Sequence, residues 1–501
     1  MCASTDTPAR YEPTLSGLPK KLKERVLELL ADDSSAEHSH EDEHEHGEDC
    51  EHDHEEDHAH EHGDGCGCND DERKAALRAL SLVNKEWYSL VAPLLWMELS
   101  LYPYSTESLL QFVTDILPRV GGHVDALALR ETPYDPFFKE GEPGDLPEQT
   151  PRAVEIVEAA ERFTNADTSL AWELRSLRAR NILLAQIVKG CPKVTCLDIQ
   201  GPIRPMRIEE IDGEEHFVVV KETDVPSVAL EAVKALNEQI DDLTLFLPPD
   251  EVSSEKDAAV LLAAFPNLVR LELNCFPLPP SSEASATKHR AALLSALSSL
   301  KKLEELDLGE SVCVTDDFAK LSLVFPLRRL ALGEYSDLSF ASFVTLVERF
   351  SSTLESLELD GTPHAEDDDA TAKKHLGKPL NLPKLVALEV ATPHEAVFLR
   401  AFNNCPLEEI YVRTCPRLGS KDVVAFLEKH KKTLRQVVFE EGAIVGDDEE
   451  EEEDDEEKDF KPAELIVNDW CMENDIGFML QQVEEEEDDD EEWEDEDDDE
   501  E

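Results

Sequence analysis

Nine stretches of the chain share one spacing of apolar and polar positions, apolar-x-x-apolar-x-apolar. They are VTCLDI (194–199), IDDLTL (240–245), LVRLEL (268–273), LEELDL (303–308), LRRLAL (327–332), LESLEL (354–359), LVALEV (385–390), LEEIYV (407–412) and LRQVVF (434–439), with a weaker copy, VDALAL, at 124–129. The alternation at the end of each predicts a short strand with one buried face. The segments between them show helical spacing and then a turn, often with Pro. Starts recur about 22 to 46 residues apart. Each unit has an apolar face that only its neighbours can cover, so the pattern predicts a stacked parallel sheet with helices outside it. The longer intervals 201–239 and 361–384 are expected to hold loops or longer helices.

The N-terminal pattern is helical instead. In LSGLPKKLKERVLELL (15–30), Pro19 suits a first turn, where its missing N–H is not needed. Leu18, Leu22, Val26, Leu29 and Leu30 follow at helical spacing. Residues 31–72 have almost no apolar side chains and cannot bury enough surface to offset ordering entropy. Helical periodicity resumes at Glu72 and runs through RKAALRALSLVNKEWYSLVAPLLWMELSL, with Pro93 expected to break it into two helices. Residues 131–152, rich in Pro, Gly and acid, read as a loop or linker.

The expected organisation is α/β: a small helical module followed by a repeat solenoid. Residues 1–14 are expected to be disordered, and 15–100 to form the helical module with a disordered His/Asp/Glu-rich insertion at 31–72. Residues 101–446 hold the repeat array, and 447–459 an acidic loop. Residues 460–483, with Trp470, Ile476 and Phe478, are expected to cap the array, and 484–501 to form a disordered acidic tail.

Charge sharpens this division. The chain has 501 residues and a formal charge of -67. Segments 32–72, 447–459 and 484–501 hold 48 of its 114 acids and one base, Lys458. No basic footprint for nucleic acid exists. No apolar run approaches the roughly 18 residues a membrane span needs, and the N-terminus lacks a secretory pattern. The 11 Cys form no CxxC pair and are expected to be reduced thiols in the cytoplasm and/or nucleus.

Leu18-Pro19, then LSLVNKEWYSL (80–90), then APLLWMEL (92–99) follow the order of an F-box. The first hundred residues resemble that family, interrupted by the His/acid block where a short turn is usual. The repeats behind them, with Cys191-Pro192 and Cys405-Pro406, resemble those of F-box proteins with leucine-rich repeats, of fungal type. The resemblance implies the substrate-recognition subunit of a cullin-RING ubiquitin ligase, itself non-catalytic. Its helical module would dock a Skp-family adaptor and its repeats a target protein. Leu18, Pro19, Leu22, Val26, Leu82, Val83, Trp87, Leu94 and Trp96 are the residues it places at, or supporting, the adaptor interface. A second resemblance, to acidic nuclear leucine-rich phosphoproteins with an acid tail after the repeats, implies an adaptor-independent binder of histones or other basic proteins.

Two further sets of residues carry candidate chemistry. His44, His46, His52, His54, His58, His60 and His62, with Cys66 and Cys68, offer imidazole and thiolate ligands for zinc, nickel or copper. Their density predicts weak multivalent binding rather than a built site, and no cofactor is required. The outward strand positions form the expected target surface, represented by Arg270, Glu272, Asp307, Arg329, Glu358, Tyr411 and Arg413. Acids outnumber Arg there, which favours a basic partner. No G-x-S-x-G, Walker loop, HExxH or dinucleotide-binding turn occurs.

Overall fold

The computed structural model describes residues 18–31, 68–101, 105–130, 149–164, 169–200, 206–211, 214–219, 227–247, 254–275, 283–309, 311, 313–333, 337–361, 378–392, 397–445 and 463–481. The His-rich ligands from His44 to Cys66, the 447–459 run and the 484–501 tail lie outside them. So does the side chain of Cys68, whose backbone opens a helix. The chain divides into two compact units. The first comprises Met1–Arg130, Tyr134–Leu197 and Glu222–Leu236, and the second Glu131–Pro133, Asp198–Lys221 and Asn237–Glu501.

The first unit begins with helices Lys20–Ala31, Cys68–Ser81 and Lys85–Leu95. Their apolar stripes meet in a core of Leu27, Leu77, Trp87 and Val91. The break between the second and third helices falls at Leu82–Asn84, not at Pro93. There the Asn84 side chain accepts from Trp87 N at 3.0 Å and caps the new helix. Pro93 sits inside that helix, which ends two residues later, because the bond its missing N–H forfeits lies at a terminus already running out. Residues 98–101, placed by periodicity in a helix, instead form strand β1 (Glu98–Leu101). Its burial alternates, with Leu99 and Leu101 inward, and it pairs in parallel with β2 (Ala126–Arg130). Thr195 and Cys196 donate to Asp125 O at the start of β3 (Cys196–Gln200), extending the ladder. Helices Pro151–Glu161, Trp172–Gly190 and Val228–Lys234 complete the unit.

The second unit is a leucine-rich-repeat solenoid. A hairpin of β4 (Met206–Ile211) and β5 (Glu214–Val219) comes first. It stands where loops or helices were expected, and the Asp212-Gly213 pair between its strands is the turn signal for it. Then come β6 (Asp242–Leu247), β7 (Arg270–Cys275), β8 (Glu305–Leu308), β9 (Arg329–Leu332), β10 (Ser356–Asp360), β11 (Ala387–Ala391) and β12 (Glu409–Val412). They are followed by β13 (Cys415–Gly419), β14 (Gln436–Glu440), β15 (Ile444–Val445) and β16 (Gly477–Gln481). The sheet order is β6-β7-β8-β9-β10-β11-β12-β14-β16, and β13 pairs separately with β15.

Register follows the repeat. Leu243 aligns with Leu271, and Leu306 with Leu330, Leu357, Leu388, Ile410, Val437 and finally Phe478. Within β6–β14 these positions are buried, as are the leading apolar residues from Ile240 to Leu434. Thus the three apolar positions of each unit build the core and the polar ones between them face away. Connections vary from the four-residue helix Asp316–Ala319 to the 17-residue Glu283–Ser299, while the strands stay in step. After β8 and β9 the turns come so close that a Cβ on Gly333 would lie 1.4 Å from the Gly309 carbonyl oxygen, which admits only glycine.

Candidate functional site

The outward strand positions of the second unit form continuous rows. One runs Thr244, Glu272, Asp307, Ala331, Glu358, Glu389, Tyr411, Val438 and Met479 across neighbouring strands. A parallel row runs Asp242, Arg270, Glu305, Arg329 and Ser356. The pleat therefore brings the predicted target-binding residues onto one face, in two groups separated by the small, buried Ala331.

Arg270 bridges Asp242 at 3.3 Å and Glu305 at 3.2 Å. Beside it Glu272 accepts from the Thr244 hydroxyl at 3.3 Å and from Asn274 Nδ2 at 3.1 Å. Burial, then the Asp307 carboxylate, pushes Glu272 above the usual range, against those two hydrogen bonds. Asp307 itself accepts from Gly309 N at 2.9 Å.

The second group is denser. Arg413, just past β12, donates from Nε to Glu440 Oε1 at 2.9 Å, and its Nη1 lies 3.5 Å from Asp360 and 3.6 Å from Glu389. Tyr411 donates to Gln481 Oε1 at 2.8 Å and approaches Glu440 Oε1 at 3.3 Å. Arg329 bridges Glu358 at 3.3 Å. Four carboxylates (Glu358, Asp360, Glu389, Glu440) thus share two guanidiniums. Burial, then the neighbouring Glu358, pushes Glu389 up to about 7 despite Arg413 and Arg329. Burial and the Glu440 charge likewise raise Tyr411. Such a face is short of positive charge, and a partner's Lys or Arg side chains would supply it.

The helical module of the first unit divides the other predicted residues by burial. Trp87 is 0% exposed and belongs to the core, with Leu18, Val26 and Leu94 packed partly buried against it. Trp96 is also half-buried and Pro19 is exposed. Leu22, Leu82 and Val83 are exposed, Leu82 at 85%, and Tyr88 joins them. Sequence reasoning missed Lys23, which is buried with its Nζ 5.6 Å from the centroid of the Trp87 ring and 2.6 Å from Glu86 Oε2. A lysine in a helical pattern reads as a solvated position, so nothing in the sequence pointed to it.

Among the described residues no group of three or more His, Cys, Asp or Glu is placed to hold a metal ion. The cysteines Cys191, Cys196, Cys313, Cys405, Cys415 and Cys471 are free thiols. Burial pushes Cys191, Cys313 and Cys471 up to about 11 and Cys405 and Cys415 to about 12, which disfavours the nucleophilic thiolate. Among the described residues no helix is long and apolar enough to cross a membrane.

No family model matches the chain, and no curated protein matches it. Among solved structures it is similar to the leucine-rich repeat-containing protein LegL7 from Legionella pneumophila. The identity is 15% and the TM-score 0.32, over 51% of this chain and 78% of that one.

Proposed function

We propose that the chain is a non-catalytic substrate receptor of a cullin-RING ubiquitin ligase. Its helical module docks a Skp-family adaptor, and the outward face of its repeats holds a basic segment of a target protein. The observation that carries this reading is the exposure of Leu22, Leu82, Val83 and Tyr88 on a module whose own core is already filled by Leu27, Leu77, Trp87 and Val91. Apolar and aromatic side chains left over after a core is built are the usual anchors of an interface. The F-box resemblance of the same segments names the partner. Such a receptor breaks no bonds. It raises the effective concentration of target lysines near a ubiquitin-charged enzyme.

The test uses the full chain and a purified Skp-family adaptor. Wild-type protein is expected to bind. Leu82→Asp and Val83→Asp, at exposed positions, are expected to weaken binding at least tenfold without lowering the melting temperature. Wild-type protein that does not bind, or variants that bind equally well, overturn the reading.

The carboxylate excess around Arg413 supports a second reading. In it the repeat face and the acidic tail bind histones or other basic proteins with no adaptor. Histone binding that persists when the adaptor is absent, and falls on deletion of residues 447–501, selects this reading.

A further inference from the structure

The last strand of the repeat sheet is built differently from the others. β16 pairs with β14, and among the described residues no strand pairs with its other side. In the inner strands the final apolar position is sealed by neighbours on both sides. It is 0% exposed at Leu308 and Val390, 1% at Val412 and 0% at Phe439. Its counterpart in β16 is Leu480, aligned with Phe439, and it is 41% exposed. Phe478, on the same face, stacks on Phe439 at 5.9 Å between centroids but stays only half-buried.

Natural sheet edges are guarded by Lys, Pro, a bulge or a covering element. The sequence of β16, GFMLQ, has no charge and no Pro, and its five residues stay in register with β14. Terminal units of repeat arrays also usually turn a polar face outward. Here the adjoining helix Ala463–Glu473 exposes Leu465, Ile466 and Met472. Among the described residues nothing covers the core side of the array at this end, and no strand pairs with the outer side of β16.

Charge selects what can add there. Residues 463–481 contain Glu464, Asp469, Glu473 and Asp475 and no Lys or Arg. The runs on either side in sequence, 447–459 and 484–501, add 12 and 17 acids against one Lys. A second copy pairing there would bring Glu464, Asp469, Glu473 and Asp475 against the same four acids with no base among them, and like charges disfavour that pairing. We propose that the β16 edge receives an extended basic segment of a partner protein as an added strand. Apolar residues at alternate positions would cover Phe478 and Leu480, with Lys or Arg between them. Backbone hydrogen bonds would give affinity, and alternation and charge would give selectivity.

The experiment measures fluorescence anisotropy of a labelled ten-residue peptide alternating Val and Lys, titrated with the full chain. A control peptide of the same charge carries two Val→Pro changes and cannot pair as a strand. The control is expected to bind at least tenfold more weakly. Leu480→Asp is decisive in sign. Charge attraction alone makes it bind the basic peptide more tightly, whereas strand addition makes it bind at least tenfold more weakly. Amide exchange at Gly477–Gln481 of the unmutated protein is expected to slow when the alternating peptide is bound, a readout that does not depend on a variant folding. Equal binding of both peptides, tighter binding by Leu480→Asp, or unchanged exchange at these amides overturns the proposal. So does self-association of the chain through this edge. No adaptor is present, so the outcome is independent of the receptor reading.

Discussion

The Arg413 guanidinium bonds from Nε to Glu440 Oε1 at 2.9 Å and stands within 3.6 Å of Glu389, so one cation ties together carboxylates from three repeat strands. Removing it leaves Asp360, Glu389 and Glu440 facing one another. The group is about a third exposed, so solvent screens much of the attraction. Arg413→Ala is therefore expected to cost about 1 kcal/mol at pH 8 by urea unfolding, and less at pH 5. A basic target that depends on this face should bind the variant more tightly, because the carboxylates are no longer neutralised from within.

Glu389 gives that face a pH dependence. Its carboxyl is raised to about 7 in the folded protein, from 4.5. A raised carboxyl favours folding while it is protonated. Its contribution is complete below about pH 4.5 and disappears as pH rises through 7. Glu389→Gln cannot lose the proton. The stability of Glu389→Gln relative to wild type is therefore expected to climb between pH 5 and pH 8, by about 1–3 kcal/mol. A difference that is flat with pH would show that Glu389 does not titrate in this window.

Trp87 and Leu82 separate folding from docking in the helical module. Trp87 is fully buried, and Trp87→Ala is expected to cost about 3–5 kcal/mol. In so small a module that is enough to abolish its cooperative unfolding transition. Leu82 is 85% exposed, and Leu82→Asp is expected to change stability by less than about 0.5 kcal/mol. Calorimetry distinguishes them, and only the second variant reports on adaptor binding.

The repeat strands were legible because burial imposes a strict period of two. The spacing that puts Leu357 and Leu359 inward necessarily puts Ser356 and Glu358 outward. The outward surface is therefore legible in the sequence alone. What the period does not carry is pairing across strands. Glu389 is raised by burial and then by Glu358, against Arg413, and those two residues are respectively 31 positions before and 24 after it in the sequence. The helical module was read less well, since two local signals outweighed periodicity. Asn84 capped a helix before Pro93 could end one, and the burial alternation of Glu98–Leu101 made a strand of residues read as helix. That no described strand pairs with the outer side of β16 follows from strand order, which is a property of the sheet and not of the segment.

His430 provides the opposite pH response to Glu389 within the same unit. The ring is buried, packs edge-on against Phe426 at 4.7 Å between centroids, and donates from Nδ1 to the Cys405 carbonyl at 3.1 Å. Its Nε2 is buried with no hydrogen-bond partner, so a proton gained there would be a charge in an apolar site. Burial accordingly lowers its pKa from 6.5, against the pull of the carbonyl. A lowered imidazole pKa means that the unfolded chain takes up the proton first. The contribution of His430 is complete above about pH 6.5 and is lost as pH falls, by up to about 1.4 kcal/mol per pH unit. His430→Leu lacks this penalty but forfeits the bond to Cys405. It is expected to be less stable than wild type at pH 7.5, with the gap closing toward pH 5.5. Unfolding curves at the two pH values test this, and a gap that widens on acidification would place the proton elsewhere.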